Sequence, residues 1–210
     1  MAFFSRISDK KEERQPNAQN WLQALFRDFR DVLYIIVIFM VVYVLCFRSV
    51  MVVGSSMNKT LVDGDRIILI SSVLYREPEL GDIVVASKDS FRNGECIVKR
   101  VIATEGQKVD IDFENRIVYV DDVPLEEPYA FFAADDHDPM HQLGMSFPLV
   151  VDEGCVFVLG DNRNGSNDSR SPEIGLIDCR EILGKAVLLI FPGTENGKIP
   201  ADFSRIGGLY

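Results

Sequence analysis

The sequence predicts a mainly β protein, an antiparallel β-sheet or barrel-like domain, attached to one N-terminal transmembrane helix. A single long apolar run near the amino terminus predicts the helix. Beyond that run, apolar residues alternate with polar ones in short segments separated by turn-forming residues, which is typical of strands. No long amphipathic helical pattern interrupts these segments, so the βαβ alternation of a parallel sheet is not indicated.

Size and charge exclude some classes of protein. The 210 residues allow one medium domain with an anchor, and the 47% hydrophobic content is enough for a core. The net charge of −10 argues against a nucleic-acid partner, because phosphate binding needs clustered Lys and Arg. Cys46 falls in the apolar run, and the odd number of remaining cysteines excludes a complete disulfide framework: Cys96, Cys155 and Cys179.

Both histidines, His137 and His141, fall in one acidic segment, D-D-H-D-P-M-H. No C-x-x-C spacing occurs, and we expect no metal site and no cofactor. A metal held loosely by this segment is the alternative to a solvated loop.

The amino-terminal part predicts a tail and then an anchor. Residues 1–19 are polar and without periodicity, which indicates a disordered tail. Residues 20–48 predict an amphipathic entry helix that begins near Trp21 and continues into the uncharged run Val32–Phe47. Sixteen helical residues cover about 24 Å of a bilayer core of about 30 Å, and flanking arginines can snorkel. A cleaved secretory signal is disfavoured, since the run begins late and no small-x-small site follows it directly.

The distribution of basic residues predicts the orientation of this anchor. Six Lys or Arg residues precede the run, and fewer follow it closely: Arg6, Lys10, Lys11, Arg14, Arg27 and Arg30. The positive-inside bias places the amino terminus in the cytoplasm and a domain of residues 49–195 outside the cell membrane. Residues 196–210 are expected to form a loose C-terminal tail.

Seven segments have the composition and alternation of strands. They are Arg66–Ile70, Asp82–Ala86, Cys96–Ala103, Lys108–Asp112, Arg116–Val120, Val156–Leu159 and Ala186–Phe191. Turns are expected at Glu114–Asn115 and Asp121–Asp122.

Ser56 is the candidate nucleophile, in the segment V-V-G-S-S-M-N-K-T-L that follows the anchor. It lies eight residues beyond Arg48, so the chain holds it within about 27 Å of that residue, close to the membrane surface. A serine hydroxyl needs a neighbouring base. A Ser-His-Asp triad is a weak interpretation, because both histidines fall in the acidic loop.

Lys99 is the candidate base, in the apolar segment I-V-K-R-V-I. Alternation places Lys99 and Arg100 on opposite faces of a strand, so one cation enters the interior if both faces are covered. A buried lysine is either paired or neutral, and a neutral lysine can accept a proton. The alternative is that Lys99 lies on a solvent face. The polar segment Gly160–Arg170, which follows a strand, is either an ordered active-site loop or a plain turn.

Together these segments resemble the sequence boxes of the bacterial type I signal peptidases, which are membrane-anchored Ser-Lys endopeptidases. The matching segments, in order behind the anchor, are S-M-N-K-T-L at Ser56–Leu61, G-D at Gly64–Asp65, K-R-V-I at Lys99–Ile102, G-D-N-R-x-x-S-x-D-S-R at Gly160–Arg170 and I-x-G-K at Ile182–Lys185. The resemblance covers roughly residues 29–192.

The resemblance implies a role for each matching residue. Ser56 would attack the scissile carbonyl and its backbone N–H would help to hold the oxyanion, while Lys99 would be the general base. Supporting roles fall to Ser166, which would orient the Lys99 amine, to Asp168 and Arg170, which would brace the loop as a pair, and to Asp161, which would pair with Arg100. The implied substrates are the signal peptides of exported preproteins, cut after small residues at the first and third positions before the bond. An apolar face of the domain would contact the lipid bilayer.

Three departures from the family pattern stand out. Lys59 replaces the usual proline, Ala103–Gln107 replaces G-L-P-G-D, and Gly54 supplies no hydroxyl for a second oxyanion donor. Two alternatives to a general signal peptidase therefore stay open. One is a membrane-anchored binding or adaptor module without turnover, and the other is a paralogue dedicated to a narrow substrate such as a pilin.

Overall fold

The computed structural model describes residues 18–88, 91, 94–132, 138–194 and 202–209. Most of the expected disordered tail and part of the acidic loop, including His137, lie outside these residues. The chain divides after residue 43 into a helical unit and a β unit.

The described part of the helical unit belongs to α1, Ala18–Cys46, whose last three residues fall in the β unit. Its stretch Trp21–Cys46 is 26 residues long and apolar enough to cross a membrane. At 1.5 Å per residue this stretch covers about 39 Å, more than a bilayer core of about 30 Å. Its apolar side chains are exposed, as Phe26 at 70% and Ile35 at 67% illustrate. The helix ends at Cys46 because Phe47 begins a strand, so Phe47 and Arg48 do not belong to the helix in which we expected them.

The β unit is built from antiparallel strand pairs, which confirms the predicted fold class. Its strands are β1 (Phe47–Met51), β2 (Arg66–Ser71), β3 (Ile83–Ser87), β4 (Cys96–Thr104), β5 (Lys108–Asp112), β6 (Ile117–Val120), β7 (Val123–Pro124), β8 (Leu149–Val150), β9 (Cys155–Leu159), β10 (Ile177–Asp178), β11 (Ile182–Phe191) and β12 (Gly207–Gly208). All seven predicted segments contain strands, with ends that differ by up to four residues.

Two sheets are present among the described residues. The larger has the order β1-β2-β11-β3-β4-β9-β10, with β12 beside the second half of β11, and the smaller has the order β7-β6-β5-β8. The larger sheet stays open, since β1 and β10 are its two ends and do not pair into a barrel.

The core explains why the central strands carry apolar residues on both sides. Alternate residues of β3 belong to different apolar clusters, with Ile83 and Val85 in one and Val84 and Ala86 in another. A third cluster joins Ile102 of β4 and the end of β9 to the inner face of the smaller sheet. Both faces of β4 are therefore covered where the strand carries its two cations.

The turn at Ala103–Gln107 is well formed without the family motif. Gly106 has a φ of +77°, a backbone conformation that glycine adopts readily. The Gln107 side chain accepts a hydrogen bond from the Thr104 backbone N–H at 2.9 Å. This departure therefore keeps β4 connected to β5 by a tight turn.

The expected loose C-terminal tail, residues 196–210, is contradicted for residues 202–209, which contact the β unit. There β12 pairs with β11, with Gly208 opposite Leu188. Arg205 forms an ion pair with the buried carboxylate of Asp65 at 2.7 Å. Gly193 also donates its N–H to Asp65, at 2.7 Å. The two residues of β12 are too few to show a strand pattern in the sequence, but these contacts fix residues 202–209 to the domain.

Candidate active site

The loop between β1 and β2 carries Ser56. Two backbone hydrogen bonds of Val52 join the two ends of this loop. The Val52 N–H donates to the Asp65 carbonyl at 2.8 Å, and the Val52 carbonyl accepts from the Gly64 N–H at 2.9 Å. Met57 and Leu61 are buried and anchor the loop in the core. Gly54 has a φ of +92° and donates its N–H to the Asp63 carboxylate at 2.7 Å. The sequence therefore folds this loop as a rigid support, with Ser56 half-exposed on it.

The structure brings Ser56 and Lys99 together. Lys99 Nζ lies 2.7 Å from Ser56 Oγ and 3.1 Å from the Val98 carbonyl. Lys99 lies on β4 opposite Val84 of β3, and only 4% of it is exposed. Among the described residues Lys99 forms no ion pair. The expected alternative, Lys99 on a solvent face, is wrong.

The surroundings of Lys99 favour the neutral amine. Burial lowers the pKa of Lys99 from 10.5 to about 8, while the nearby carboxylates of Asp168 and Asp161 limit the decrease. A buried ammonium loses its hydration, and here this effect exceeds the attraction of the two carboxylates. With a pKa of about 8, roughly a tenth of the Lys99 amine is neutral at pH 7, and a neutral amine can accept a proton.

The other cation of the strand, Arg100, is also buried but is paired. Its guanidinium donates to both carboxylate oxygens of Asp161, at 2.9 and 2.8 Å. Asp161 also accepts from the Thr60 hydroxyl at 2.5 Å, and Arg100 lies 4.0 Å from the ring centroid of Tyr129. The pair thus connects the strand that carries Lys99 to the loop that carries Ser56.

Asp168 and Arg170 form a second pair, which is fully buried. Arg170 donates to the two carboxylate oxygens of Asp168 at 2.8 Å each and to the Arg163 carbonyl at 2.6 Å. Asp168 also accepts from the Gly160 N–H at 3.1 Å. The segment Gly160–Arg170 is therefore an ordered loop next to the site and not a plain turn.

Ser166 lies close to the site but does not contact Lys99 in the way we expected. Its hydroxyl is 3.4 Å from the carbonyl of Asn167, and within the described part of the chain no hydrogen bond joins it to Lys99. It is nevertheless buried, at 7% exposure, and packs against Gly160 near Ser56. A role in orienting the amine therefore stays a prediction.

Two residues that sequence reasoning left without a role hold the nucleophile in place. Asn162 donates its backbone N–H to the Ser56 carbonyl and its side-chain N–H to the Ser55 carbonyl, both at 3.0 Å. Gly160 has no room for a side chain, since a Cβ there would lie 2.5 Å from the Ser56 carbonyl oxygen and 2.1 Å from Ser166 Oγ. Both belong to the polar motif, but only the fold shows which carbonyls they approach.

A cavity of about 400 Å³ opens beside the Ser56–Lys99 pair. Besides Ser56 and Lys99, its walls include apolar residues of three strands: Val50, Met51, Val85, Ile97 and Val98. The Ser56 N–H donates no hydrogen bond within the described residues, so it is available to an oxyanion. The arrangement can hold an extended acyl chain with its carbonyl at Ser56.

A histidine-based site has little support. His141 is exposed. Its backbone N–H donates to the Asn164 side chain at 2.9 Å, and its carbonyl accepts from Arg170 at 3.2 Å, so its backbone holds the polar loop. His137 lies outside the described residues. The titratable side chain in contact with the Ser56 hydroxyl is that of Lys99.

Comparisons with known proteins agree on one family. The model of the family described as "Signal peptidase, peptidase S26" matches residues 25–191. A signal peptidase I of Bacillus licheniformis is 31% identical over 193 residues, 89% of this chain and 98% of that protein. A signal peptidase I of Bacillus amyloliquefaciens is 36% identical over 152 residues, 70% of this chain and 75% of that protein. A crystal structure of a signal peptidase I from Enterococcus faecalis V583 has 30% sequence identity and a TM-score of 0.42, over 52% of this chain and 96% of that one.

Proposed function

Because the chain belongs to the signal peptidase family, peptidase S26, we propose that it removes signal peptides from exported preproteins, with Ser56 as the nucleophile and Lys99 as the general base. The observation that carries this proposal is the 2.7 Å distance between Lys99 Nζ and Ser56 Oγ in a buried environment. A nucleophile and its base need this separation for proton transfer.

The reaction follows from the two groups in sequence. Neutral Lys99 takes the Ser56 proton as Oγ attacks the scissile carbonyl, and the Ser56 N–H stabilises the resulting oxyanion. The ammonium of Lys99 then donates the proton to the leaving amine, which gives an acyl-enzyme on Ser56. Water activated by Lys99 hydrolyses that ester and restores the hydroxyl. This chemistry uses groups of the protein and water, and we propose no cofactor and no metal.

The buried pairs act as supports in this proposal. Arg100 with Asp161, and Arg170 with Asp168, hold the strand and the loop on either side of the reacting groups. Their carboxylates also limit how far the pKa of Lys99 falls. We also propose that Ser166, which is buried close to Ser56, hydrogen-bonds the Lys99 amine during the reaction.

The substrate side of the proposal is a signal peptide at a membrane surface. The cavity beside Ser56, of about 400 Å³, is lined in part by apolar residues of three strands, and we propose that it receives the residues before the scissile bond. Helix α1 is long and apolar enough to anchor the protein in the same bilayer as the apolar segment of a preprotein. We expect a cytoplasmic amino terminus and an extracytoplasmic β unit in the cell membrane, as the basic residues before the span indicate.

The orientation has a direct test, because Cys96 is a free and exposed thiol of the β unit. In intact cells, after the other three cysteines are replaced by serine, a membrane-impermeant maleimide should label Cys96. Labelling that requires cell lysis would place the β unit on the cytoplasmic side.

The activity is tested with the full chain in detergent and a peptide that carries an Ala-x-Ala cleavage site. We expect cleavage directly after the second alanine, and loss of at least about 10²-fold in kcat/KM in Ser56→Ala and in Lys99→Ala. Thermal unfolding of each variant checks that folding persists. Processing retained in the purified Lys99→Ala protein would refute Lys99 as the base. Absence of turnover in the wild type would favour the non-catalytic binding module instead.

A further inference from the structure

Lys59, the residue that departs from the family proline, is an exposed cation beside the site. Its ammonium lies 4.6 Å from the ring centroid of Phe131. Elsewhere Lys108 and Lys185 each pair with an aspartate, at 2.5 Å in both cases. Within the described residues Lys59 has no carboxylate partner, so its charge is available to a ligand.

A second cavity, of about 340 Å³, lies under this cation. It is lined by Lys59, Thr60, Pro128, Tyr129, Ala130 and Phe131, and it shares no lining residue with the cavity beside Lys99. The buried charges behind it are already paired, Arg100 with Asp161 and Arg163 with Glu127. Lys59 is therefore the charge that this cavity presents to a ligand.

Backbone hydrogen bonds indicate how far Phe131 lies from Ser56. The Ser56 carbonyl accepts from Asn162 N–H at 3.0 Å. Phe131 bonds to the same segment, donating to the Asp161 carbonyl at 2.7 Å and accepting from Arg163 N–H at 3.0 Å. Two neighbouring backbone spacings of about 4.8 Å place Phe131 about 10 Å from the Ser56 backbone. An extended peptide covers this distance in about three residues at about 3.3 Å each.

We propose that Lys59 and Phe131 form a subsite for an acidic residue on the leaving side of the substrate, two or three residues after the cleaved bond. This inference rests on the proposed function, because the acyl side of the substrate would occupy the cavity beside Lys99. The ammonium attracts the carboxylate, and the Phe131 ring supports the aliphatic part of the same side chain. The net charge of −10 acts in the opposite direction, so a preference for an acidic residue would report this local cation and not the field of the whole protein.

The test uses the full chain in detergent and peptides that are identical except at the second or third residue after the cut, which is Asp, Asn or Lys. At low salt we expect kcat/KM to be about two- to fivefold higher for Asp than for Asn, the size of an exposed ion pair. High salt should reduce this ratio toward one. In Lys59→Gln the Asp/Asn ratio should fall to one or below, and in Lys59→Glu the Lys peptide should become the preferred one.

The ratio within each variant is the readout, so a general loss of activity does not affect it. Lys108→Gln removes the same charge from the smaller sheet and should keep the wild-type ratio. A wild-type Asp/Asn ratio of one, or a ratio unchanged in Lys59→Gln, would overturn the subsite while cleavage of the Asn peptide still supported the proposed function. Failure of the wild type to cleave the Asn peptide would overturn the proposed function and the subsite with it.

Discussion

Lys99 and Arg100 are adjacent buried cations on β4, but their side chains have different surroundings. A guanidinium does not deprotonate in proteins, and that of Arg100 is buried against both oxygens of Asp161. Lys99 is buried almost as completely, but its amine contacts a hydroxyl and a carbonyl instead of a carboxylate. A charged amine in this position is penalised by the loss of hydration, so the lysine loses its proton more easily. The pairing of Arg100 with a carboxylate, and the lack of such a pair at Lys99, are the contrast on which the proposal of Lys99 as the base rests.

The pH dependence of cleavage follows from this environment. With a Lys99 pKa of about 8, kcat/KM for a soluble peptide should increase with pH through about 8 and level off above it. Lys99→Arg should be inactive at every pH, because a guanidinium does not deprotonate in this range. A profile that is flat between about pH 6 and 10 in the wild type would contradict the assignment of the base.

The same shift predicts how stability changes with pH. Because folding lowers the pKa of Lys99 from 10.5 to about 8, the folded protein binds fewer protons than the unfolded chain between these values. This group therefore opposes folding below pH 8, and the penalty disappears as the pH increases toward 10.5. Lys99→Met should flatten this part of the stability curve, which denaturant unfolding at a series of pH values would measure.

Gly160 gives a sharper test of how closely the polar loop approaches the nucleophile. In Gly160→Ala the new Cβ would lie 2.5 Å from the Ser56 carbonyl oxygen, which cannot move away without moving Ser56. We expect kcat/KM to fall about 10- to 100-fold, the cost of a displacement near 1 Å, together with a lower melting temperature. Gly207→Ala is the matched control, since a Cβ there meets no atom within 4 Å. Equal activities of the two variants would show that the loop can adapt.

Sequence reasoning predicted Ser56 and Lys99 as the reacting pair because that prediction depends on residue type and burial, which a pattern reports, and the structure places the two side chains 2.7 Å apart. It also anticipated the Arg100–Asp161 and Asp168–Arg170 pairs through the family resemblance. It could not assign Asn162 or Gly160, because their roles depend on a carbonyl that lies more than a hundred residues away in the chain. Such a contact depends on register and leaves no local signal.

At the scale of elements, the C-terminal segment supports the loop that carries Ser56. Arg205 donates to both oxygens of the buried Asp65, at 3.0 and 2.7 Å, and to the Thr60 carbonyl at 3.2 Å. Thr60 in turn bonds to Asp161, which pairs with Arg100 next to Lys99. A chain of contacts thus joins residues 202–209, which lie beyond the family match, to both sides of the site.

Arg205→Ala should therefore weaken both stability and catalysis. We expect the free energy of unfolding to fall by about 2–3 kcal/mol, less than the usual cost of about 3–5 kcal/mol for breaking a buried ion pair. The cost is lower because Asp65 keeps its hydrogen bonds from the Val62 and Gly193 N–H groups. If Arg205 is a positioning residue, kcat measured well below the melting temperature should decrease while the midpoint of the pH profile stays at the wild-type value.

The conservative variant Arg205→Lys keeps the charge but loses the two-pronged contact, and it should recover part of kcat. Arg180→Ala is the control, since that arginine also contacts an aspartate through two atoms but its side chain is 90% exposed. Arg180→Ala should leave the melting temperature and kcat close to their wild-type values, because water screens an exposed pair. Wild-type kcat in Arg205→Ala would limit the segment to a stabilising role.

The elements differ in how well a pattern can reveal them. β2 and β3 are short, mainly apolar runs and β5 alternates, and these three strands, like β6, were predicted nearly to their ends. The strands β7, β8, β10 and β12 have two residues each, too few to establish a period. β1 follows α1 directly, so the sequence places its first residues at the end of the apolar anchor and the strand was not predicted.

At the scale of the whole molecule, the connection between α1 and the site limits where cleavage can occur. Ser56 follows Cys46 by ten residues, so the chain holds it within about 36 Å of the end of the helix. If the proposed function is right, a preprotein whose apolar segment spans the same bilayer would present its cleavage site at a similar height. Enzyme and substrate would then meet in two dimensions, which would raise their effective concentration without any further contact.

This reasoning predicts surface dilution. With the full chain and a preprotein both reconstituted in vesicles, added lipid should slow cleavage in proportion to the membrane area, because the two partners become more dilute on the surface. Cleavage of a short soluble peptide by the same vesicles should not change, since that peptide arrives from water. The peptide thus controls for any loss of active enzyme. A preprotein rate that is independent of the lipid content would mean that the helix anchors the protein without concentrating its substrate.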